Sequence, residues 1–82
     1  MNKMIYIFDK KVEKQLGQLI VDFYYKTGTL TTDTENHNGY LALSIWKNSE
    51  NANPKILRER VKVLEGMFKE SKLKPIQKIK VN

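Results

Sequence analysis

The side chains of this sequence that could do chemistry are mainly lysines and aromatic rings. Its 82 residues include 15 lysines and arginines against 9 acids, a net charge of +6, with one tryptophan, four tyrosines and three phenylalanines. Rings that stack on bases and cations that neutralise phosphates are the groups with which proteins bind single-stranded nucleic acids. These residue types indicate binding of a polyanion.

The positive charge is concentrated in the second part of the chain. Residues 1–46 carry five lysines and five acids, whereas residues 47–82 carry eight lysines and two arginines against four acids. Such asymmetry points to an anionic partner. The alternative is the general basicity of small, lysine-rich proteins from AT-rich genomes, and the sequence leaves both interpretations open.

The sequence has few of the side chains that act as catalytic residues or metal ligands in enzymes. His37 is the only histidine, and its place beside Asn36 and Asn38 favours a turn residue. The sequence offers no members for a nucleophile triad and no glycine-rich phosphate loop. A metal site would need more ligands than His37 with Asp33 and Glu35. We therefore expect no enzymatic activity, no metal and no cofactor.

Size and composition predict where the protein works. A chain of 82 residues is expected to form a single domain, 1–82. The absence of cysteine fits a reducing compartment. No apolar run approaches the roughly 20 residues of a spanning helix, and Met4–Phe8 is too short for the apolar part of a signal peptide. We expect a cytoplasmic protein with no membrane association.

The strands are organised around Tyr40–Trp46, which predicts a central strand entered through an Asn38-Gly39 turn. Leu41, Leu43 and Ile45 fall on one side of it because side chains alternate along a strand. The other predicted strands are one apolar segment and two more polar edge segments: Met4–Phe8, Thr29–Thr34 and Ile76–Val81.

Two amphipathic helices complete a β-α-β-β-α-β order. The first covers residues 10–26, with Asp9 as N-cap and Gly28 as C-terminal stop. The second covers residues 54–71 and follows Asn53 as N-cap. This order predicts an α+β, ferredoxin-like fold whose antiparallel sheet has the order 4-1-3-2 and carries both helices on one face. A winged-helix arrangement is the alternative, which a long first helix after a strand disfavours.

The sheet face that the helices leave open is the first candidate site. We expect Ile5 and Ile7 to face the helices, so that the rings of the first strand face outward. We also expect Val81 to face inward, so that Lys78 and Lys80 share the open face. The open face would then combine apolar and aromatic residues with flanking lysines: Met4, Tyr6, Phe8, Tyr40, Ala42, Ser44, Trp46, Lys78 and Lys80. Such a face predicts stacking of bases beside neutralised phosphates.

Two short segments resemble the RNA-recognition motif. Ile5-Tyr6-Ile7 is similar to its first-strand signature, in which the central ring stacks a base, and Gly39-Tyr40 is similar to the start of its third-strand signature. The resemblance implies RNA binding through these two tyrosines. The sequence departs from the motif at Asn38, where a basic residue is expected, and at Ala42, where a second ring is expected. The chain is therefore not assigned to that family.

Two functions are consistent with these features. The first is a small non-catalytic nucleic-acid-binding module, which would hold a single strand on the sheet or a duplex backbone on the second helix and C-terminal tail. Its expected contacts are Tyr6, Tyr40, Trp46, Arg58, Lys62, Lys69, Lys72, Lys74, Lys78 and Lys80.

The second function is protein association, because exposed apolar faces usually mark interfaces. The protein would then be a regulator or inhibitor of the phage or plasmid type that binds a protein partner, with a homodimer through the open sheet face. The type of nucleic acid, the partner and the oligomeric state stay open.

Overall fold

The computed structural model describes residues 1–28, 31–47 and 53–82. Its elements are β1 (Lys3–Asp9), a 3-10 turn (Lys10–Val12), α1 (Glu13–Thr27), β2 (Thr32–His37), β3 (Tyr40–Trp46), α2 (Pro54–Glu70) and β4 (Gln77–Val81). All neighbouring strands are antiparallel, and their order is β2-β3-β1-β4. The predicted α+β class, antiparallel sheet and strand order are confirmed.

The helix ends follow the capping residues. The carboxylate of Asp9 accepts a 3.0 Å hydrogen bond from the backbone N–H two residues later, but it caps the 3-10 turn, and α1 begins only at Glu13. Gly28 ends α1 in the left-handed region with a φ of 71°. Asn53 caps α2, and Pro54 occupies the first turn, where its missing N–H is harmless.

The second strand differs from its predicted position. It was expected over Thr29–Thr34, but β2 covers Thr32–His37 and pairs with β3 along its whole length, ending at His37 opposite Tyr40. Only residues 38 and 39 form the turn, and Gly39 takes the positive φ of 84° that this turn needs. Residues 35–37 are polar, which favours a loop, but they stay in the strand because their backbone pairs with β3 up to the two-residue turn. Residues 29 and 30, and most of the loop between β3 and α2, lie outside the described residues.

The face that β1 presents to the helices is the opposite of the predicted one. Tyr6 and Phe8 are 0% and 1% exposed, whereas Ile5 and Ile7 are half-buried on the other face. Both rings meet the ring of Phe68 edge-on, with centroids 5.1 Å apart. The large rings fill the space between sheet and helices, which favours this orientation.

One hydrophobic core lies between the sheet and the two helices. It is formed by Met4, Tyr6, Phe8, Leu16, Leu19, Phe23, Leu41, Leu43, Ile45, Leu57, Val61, Leu64, Phe68 and Leu73. Both helices contribute to it, so both cover the same face of the sheet. The predicted inward face of β3 is confirmed, and the other face of the sheet is left without a covering layer in the described part of the chain.

Neither α1 nor α2 could cross a membrane. They have 15 and 17 residues and carry charges throughout, so among the described residues no helix is long and apolar enough to span a bilayer.

Candidate functional site

Two lysines of β4 lie on the helix side of the sheet. Lys78 stands opposite Tyr6 and Lys80 opposite Met4 in the register of β1 and β4. Residues directly opposite each other share a face, and Tyr6 and Met4 face the helices. The prediction that these lysines lie on the open face was therefore wrong. It failed because it assumed that Val81 faces the helices, whereas Val81 pairs with Lys3 on the open face of the sheet.

The side of α2 next to β4 is basic. Arg58, Lys62, Glu65 and Lys69 are spaced by four, three and four residues, which places them on one side of the helix. The Glu65 carboxylate lies 2.8 Å from the Lys78 ammonium nitrogen, so this side faces β4. We call this the α2–β4 surface and define it by these four helix residues together with Lys78 and Lys80. It brings together five of the ten residues that the sequence nominated.

A cleft of about 470 Å³ lies at one end of this surface. It is lined by Met1, Met4, Pro54, Arg58, Lys78 and Lys80. Apolar side chains and three cations line it, with no acid among the lining residues that the structure describes. A guanidinium can bind a phosphate through two parallel hydrogen bonds, and ammonium groups add charge without directional demands. The cleft is therefore suited to an anionic group.

Tyr6 is a buried structural residue. Its hydroxyl donates a 2.7 Å hydrogen bond to Glu65 Oε2, the same oxygen that pairs with Lys78. Burial raises the pKa of Tyr6 well above its ordinary value, and the neighbouring Glu65 adds to this. A ring that is fully covered by its own protein cannot stack on a base. The predicted role of Tyr6 as a stacking group is wrong.

Glu65 is the residue of this site that sequence reasoning missed. Burial would raise its pKa, but hydrogen bonds from Lys78 and Tyr6 and the charges of Lys78 and Lys69 outweigh that effect and lower it. In the sequence Glu65 looked like an ordinary partner of Lys69 on a solvated helix surface. The available signal was its place seven residues after Arg58, inside an otherwise basic side of the helix.

Tyr40 and Trp46 do lie on the open face, as predicted, but at opposite ends of β3. Six residues of extended chain separate them by about 20 Å. The ring of Tyr40 stacks on His37 with centroids 4.8 Å apart, and His37 Nε2 lies 3.2 Å from a Glu35 oxygen. The ionised side chains that the strands place on this face are Lys3, Asp9, Asp33 and Glu35. With three acids and one lysine, the face does not form the predicted platform of rings flanked by lysines.

Lys72 and Lys74 lie in the exposed connection from α2 to β4. The helix ends in a Schellman motif. The Leu73 N–H donates to the Phe68 carbonyl at 2.8 Å, and the Lys72 N–H donates to the Lys69 carbonyl at 3.1 Å. Lys72 has a φ of 56°, the left-handed conformation that glycine usually supplies at this position. The connection thus extends the basic character of the α2–β4 surface.

The described residues contain no cluster of three or more histidine, cysteine, aspartate or glutamate side chains that could hold a metal ion. Comparison of the chain with protein-family models, with curated proteins and with solved structures gives no match. The chemistry of the site is therefore argued from its own geometry.

Proposed function

We propose that this protein binds nucleic acid through the phosphate backbone, using the α2–β4 surface. The observation that carries the proposal is the meeting of cations from α2 and β4 on one surface, whose single acid is Glu65. Arg58, Lys78 and Lys80 form the cleft, and Lys62 and Lys69 continue it along the helix. The protein acts without catalysis, as a binding module.

Contacts of this kind position a protein on nucleic acid without reading its sequence. Lysine and arginine bind phosphate oxygens and release condensed counterions, so affinity falls steeply as salt rises. The α2–β4 surface has cations but no exposed ring that could stack a base. It therefore favours duplex over single-stranded nucleic acid, which corresponds to the second of the two binding modes that the sequence suggested.

The backbone of Lys72 supports the same proposal. A non-glycine residue in the left-handed conformation costs about 1 kcal/mol or more, and such positions concentrate at functional sites. Lysine keeps a cation there, at the helix end and three residues after Lys69 of the α2–β4 surface. We interpret the retained charge as a further phosphate contact, together with Lys74.

The fold assignment belongs to the proposal as well. The β-α-β-β-α-β order and the two helices on one face support a ferredoxin-like arrangement. The absence of cysteine supports a cytoplasmic location.

The test is fluorescence anisotropy with a labelled duplex of about 20 base pairs, titrated from about 50 to 200 mM salt. We compare the wild type with a cleft variant, Arg58→Gln/Lys78→Gln/Lys80→Gln. A matched control, Lys10→Gln/Lys11→Gln/Lys14→Gln, removes the same charge from the start of the first helical segment. Circular dichroism establishes that both variants are folded.

We expect the cleft variant to lose most of its affinity and its salt slope to fall by about 3, since each phosphate contact contributes about 0.9. The control should lose several-fold at most. Equal losses in both variants, or affinity independent of salt, would exclude the proposal. Binding of acidic proteins but not of duplex would favour the interaction-protein alternative.

A further inference from the structure

The open face of the sheet is apolar at its centre. Its half-buried or exposed apolar side chains are Ile5, Ile7, Tyr40, Trp46, Ile79 and Val81. No described residue packs over this face, since both helices lie on the other side of the sheet. Contiguous exposed apolar surface of this kind usually marks an interface.

The side chains that β1 presents on this face complement those of a second β1 that runs in the opposite direction. On this face β1 presents Lys3, Ile5, Ile7 and Asp9, with opposite charges at its two ends and isoleucines between them. The neighbouring strand β3 has an aromatic ring at each end, Tyr40 and Trp46, with small residues between them. Such a face can match a second copy of itself turned end to end.

We propose that a second copy of this chain covers the open face as a two-fold symmetric dimer. The two-fold axis would run across the strands, so that each β1 lies antiparallel to the β1 of the other copy. Ile5 would then face Ile7 of the second copy, and Lys3 would face Asp9. Identical surfaces that match under a two-fold axis are the commonest basis of homodimers.

A two-fold axis along the strands fits the charges less well. It would place β1 of one copy over β3 of the other, which puts Lys3 over Trp46 and leaves Asp9 without a cation. The proposed orientation has one unfavourable feature, because Asp33 and Glu35 of the two copies approach each other at the β2 edge. This feature distinguishes the two orientations, since removing these charges should tighten only the proposed dimer.

The size of the face sets the expected affinity. Four strands about 4.8 Å apart and seven residues of about 3.3 Å each give a footprint of roughly 19 by 23 Å. Stable interfaces bury about 800 Å² on each partner, so this dimer belongs to the smaller class. We expect a dissociation constant in the micromolar range.

The helix side of the sheet stays free in this arrangement. The α2–β4 surface would remain accessible on both copies, and the two β4 edges would lie along the same side of the dimer. The dimer does not depend on the proposed nucleic-acid binding, and either could fail alone.

The experiment is sedimentation equilibrium from about 5 to 200 µM, which brackets a micromolar dissociation constant. Ile5→Thr/Ile7→Thr keeps β-forming residues and the net charge but removes apolar contact, and it should weaken the dimer roughly 100-fold. The control Val21→Thr changes an exposed apolar residue of α1 and should have no effect. A wild type that is monomeric at about 200 µM, or a dimer unchanged by the double substitution, would overturn the proposal.

Charge variants test the orientation. Lys3→Gln and Asp9→Asn should each weaken the dimer several-fold, and asparagine retains the N-cap of the 3-10 turn. Their combination should weaken it no further than either change alone. Within one chain the two residues are about 20 Å apart, so coupling between them can only arise across the dimer. Asp33→Asn/Glu35→Gln should tighten the dimer, and additive effects of the first pair with no tightening by the second would exclude this orientation.

Discussion

The hydroxyl of Tyr6 on β1 donates a 2.7 Å hydrogen bond to the carboxylate of Glu65 on α2, from a ring that is fully buried. The same carboxylate pairs with Lys78 on β4 at 2.8 Å. One acid therefore ties the helix to both strands beneath it and holds one cation of the α2–β4 surface in place. Stability and the proposed binding function meet at this carboxylate.

Removing the tyrosine hydroxyl should destabilise the fold modestly. Tyr6→Phe keeps the ring and its packing on Phe68 but deletes the hydrogen bond to Glu65. We expect a loss of about 1.5 kcal/mol in the free energy of unfolding, at the lower end for a bond to a charged group, because Glu65 is partly exposed and keeps Lys78 and water as partners. Urea unfolding measures it. Tyr40→Phe, which changes an exposed tyrosine, should leave stability within about 0.5 kcal/mol, and equal losses in the two variants would contradict this role of Tyr6.

The lowered pKa of Glu65 makes stability depend on pH. Burial acts to raise this pKa, but hydrogen bonds from Lys78 and Tyr6 and nearby positive charge lower it below its ordinary value of 4.5. A carboxyl whose pKa is lower in the folded state binds fewer protons there than in the unfolded state. Its stabilising contribution is therefore present above pH 4.5 and is lost as the pH falls through the folded-state pKa.

Urea unfolding of the wild type and Glu65→Gln from pH 7 down to pH 3 tests this dependence. We expect the wild type to be the more stable protein at pH 7 and the difference to shrink below about pH 4.5, where Glu65 becomes protonated. A difference that stays constant across the range would show that the charge of Glu65 does not stabilise the fold.

The sequence predicted the arrangement of elements better than the orientation of their side chains. Strand order, the caps Asn53 and Gly28 and the central strand follow from local signals that tertiary packing reinforces. The orientation of β1 does not, because Met4–Phe8 is apolar at every position and carries no alternation. Only packing against the helices decides that the rings, and not the isoleucines, turn inward.

Two strand orientations changed the candidate site. β1 turns Tyr6 toward the helices, and β4 turns Val81 to the open face, so Lys78 and Lys80 lie on the helix side together with Tyr6. The cations of α2 could be nominated from the sequence, because helical spacing separates them from the buried stripe of the helix. The cations of α2 and the lysines of β4 form one surface only because α2 packs beside β4. This is a long-range contact, and no local sequence pattern predicts it.

Replacing Lys72 with glycine should stabilise the fold and weaken duplex binding. Lys72→Gly removes the strain of a left-handed residue with a side chain, and we expect the free energy of unfolding to rise by about 1 kcal/mol, measured by urea unfolding. The same change removes a proposed phosphate contact and should weaken duplex binding several-fold, with a salt slope smaller by about 1. Lys74→Gln serves as the control, since it should weaken binding similarly without a gain in stability. A glycine variant that binds as tightly as the wild type would remove Lys72 from the site.

Neutralising Glu65 should tighten binding while it weakens the fold. Glu65→Gln removes the one acid of the α2–β4 surface and releases Lys78 from its ion pair, so both changes make the surface more positive. We expect the affinity for a duplex of about 20 base pairs to rise several-fold, measured by anisotropy at about 100 mM salt, with a salt slope larger by about 1. The control Glu70→Gln changes the net charge equally, but on a helix position turned away from β4, and should have a smaller effect. If both glutamate variants tighten binding by the same factor, net charge rather than the α2–β4 surface would govern affinity, and the proposed site would have to be abandoned.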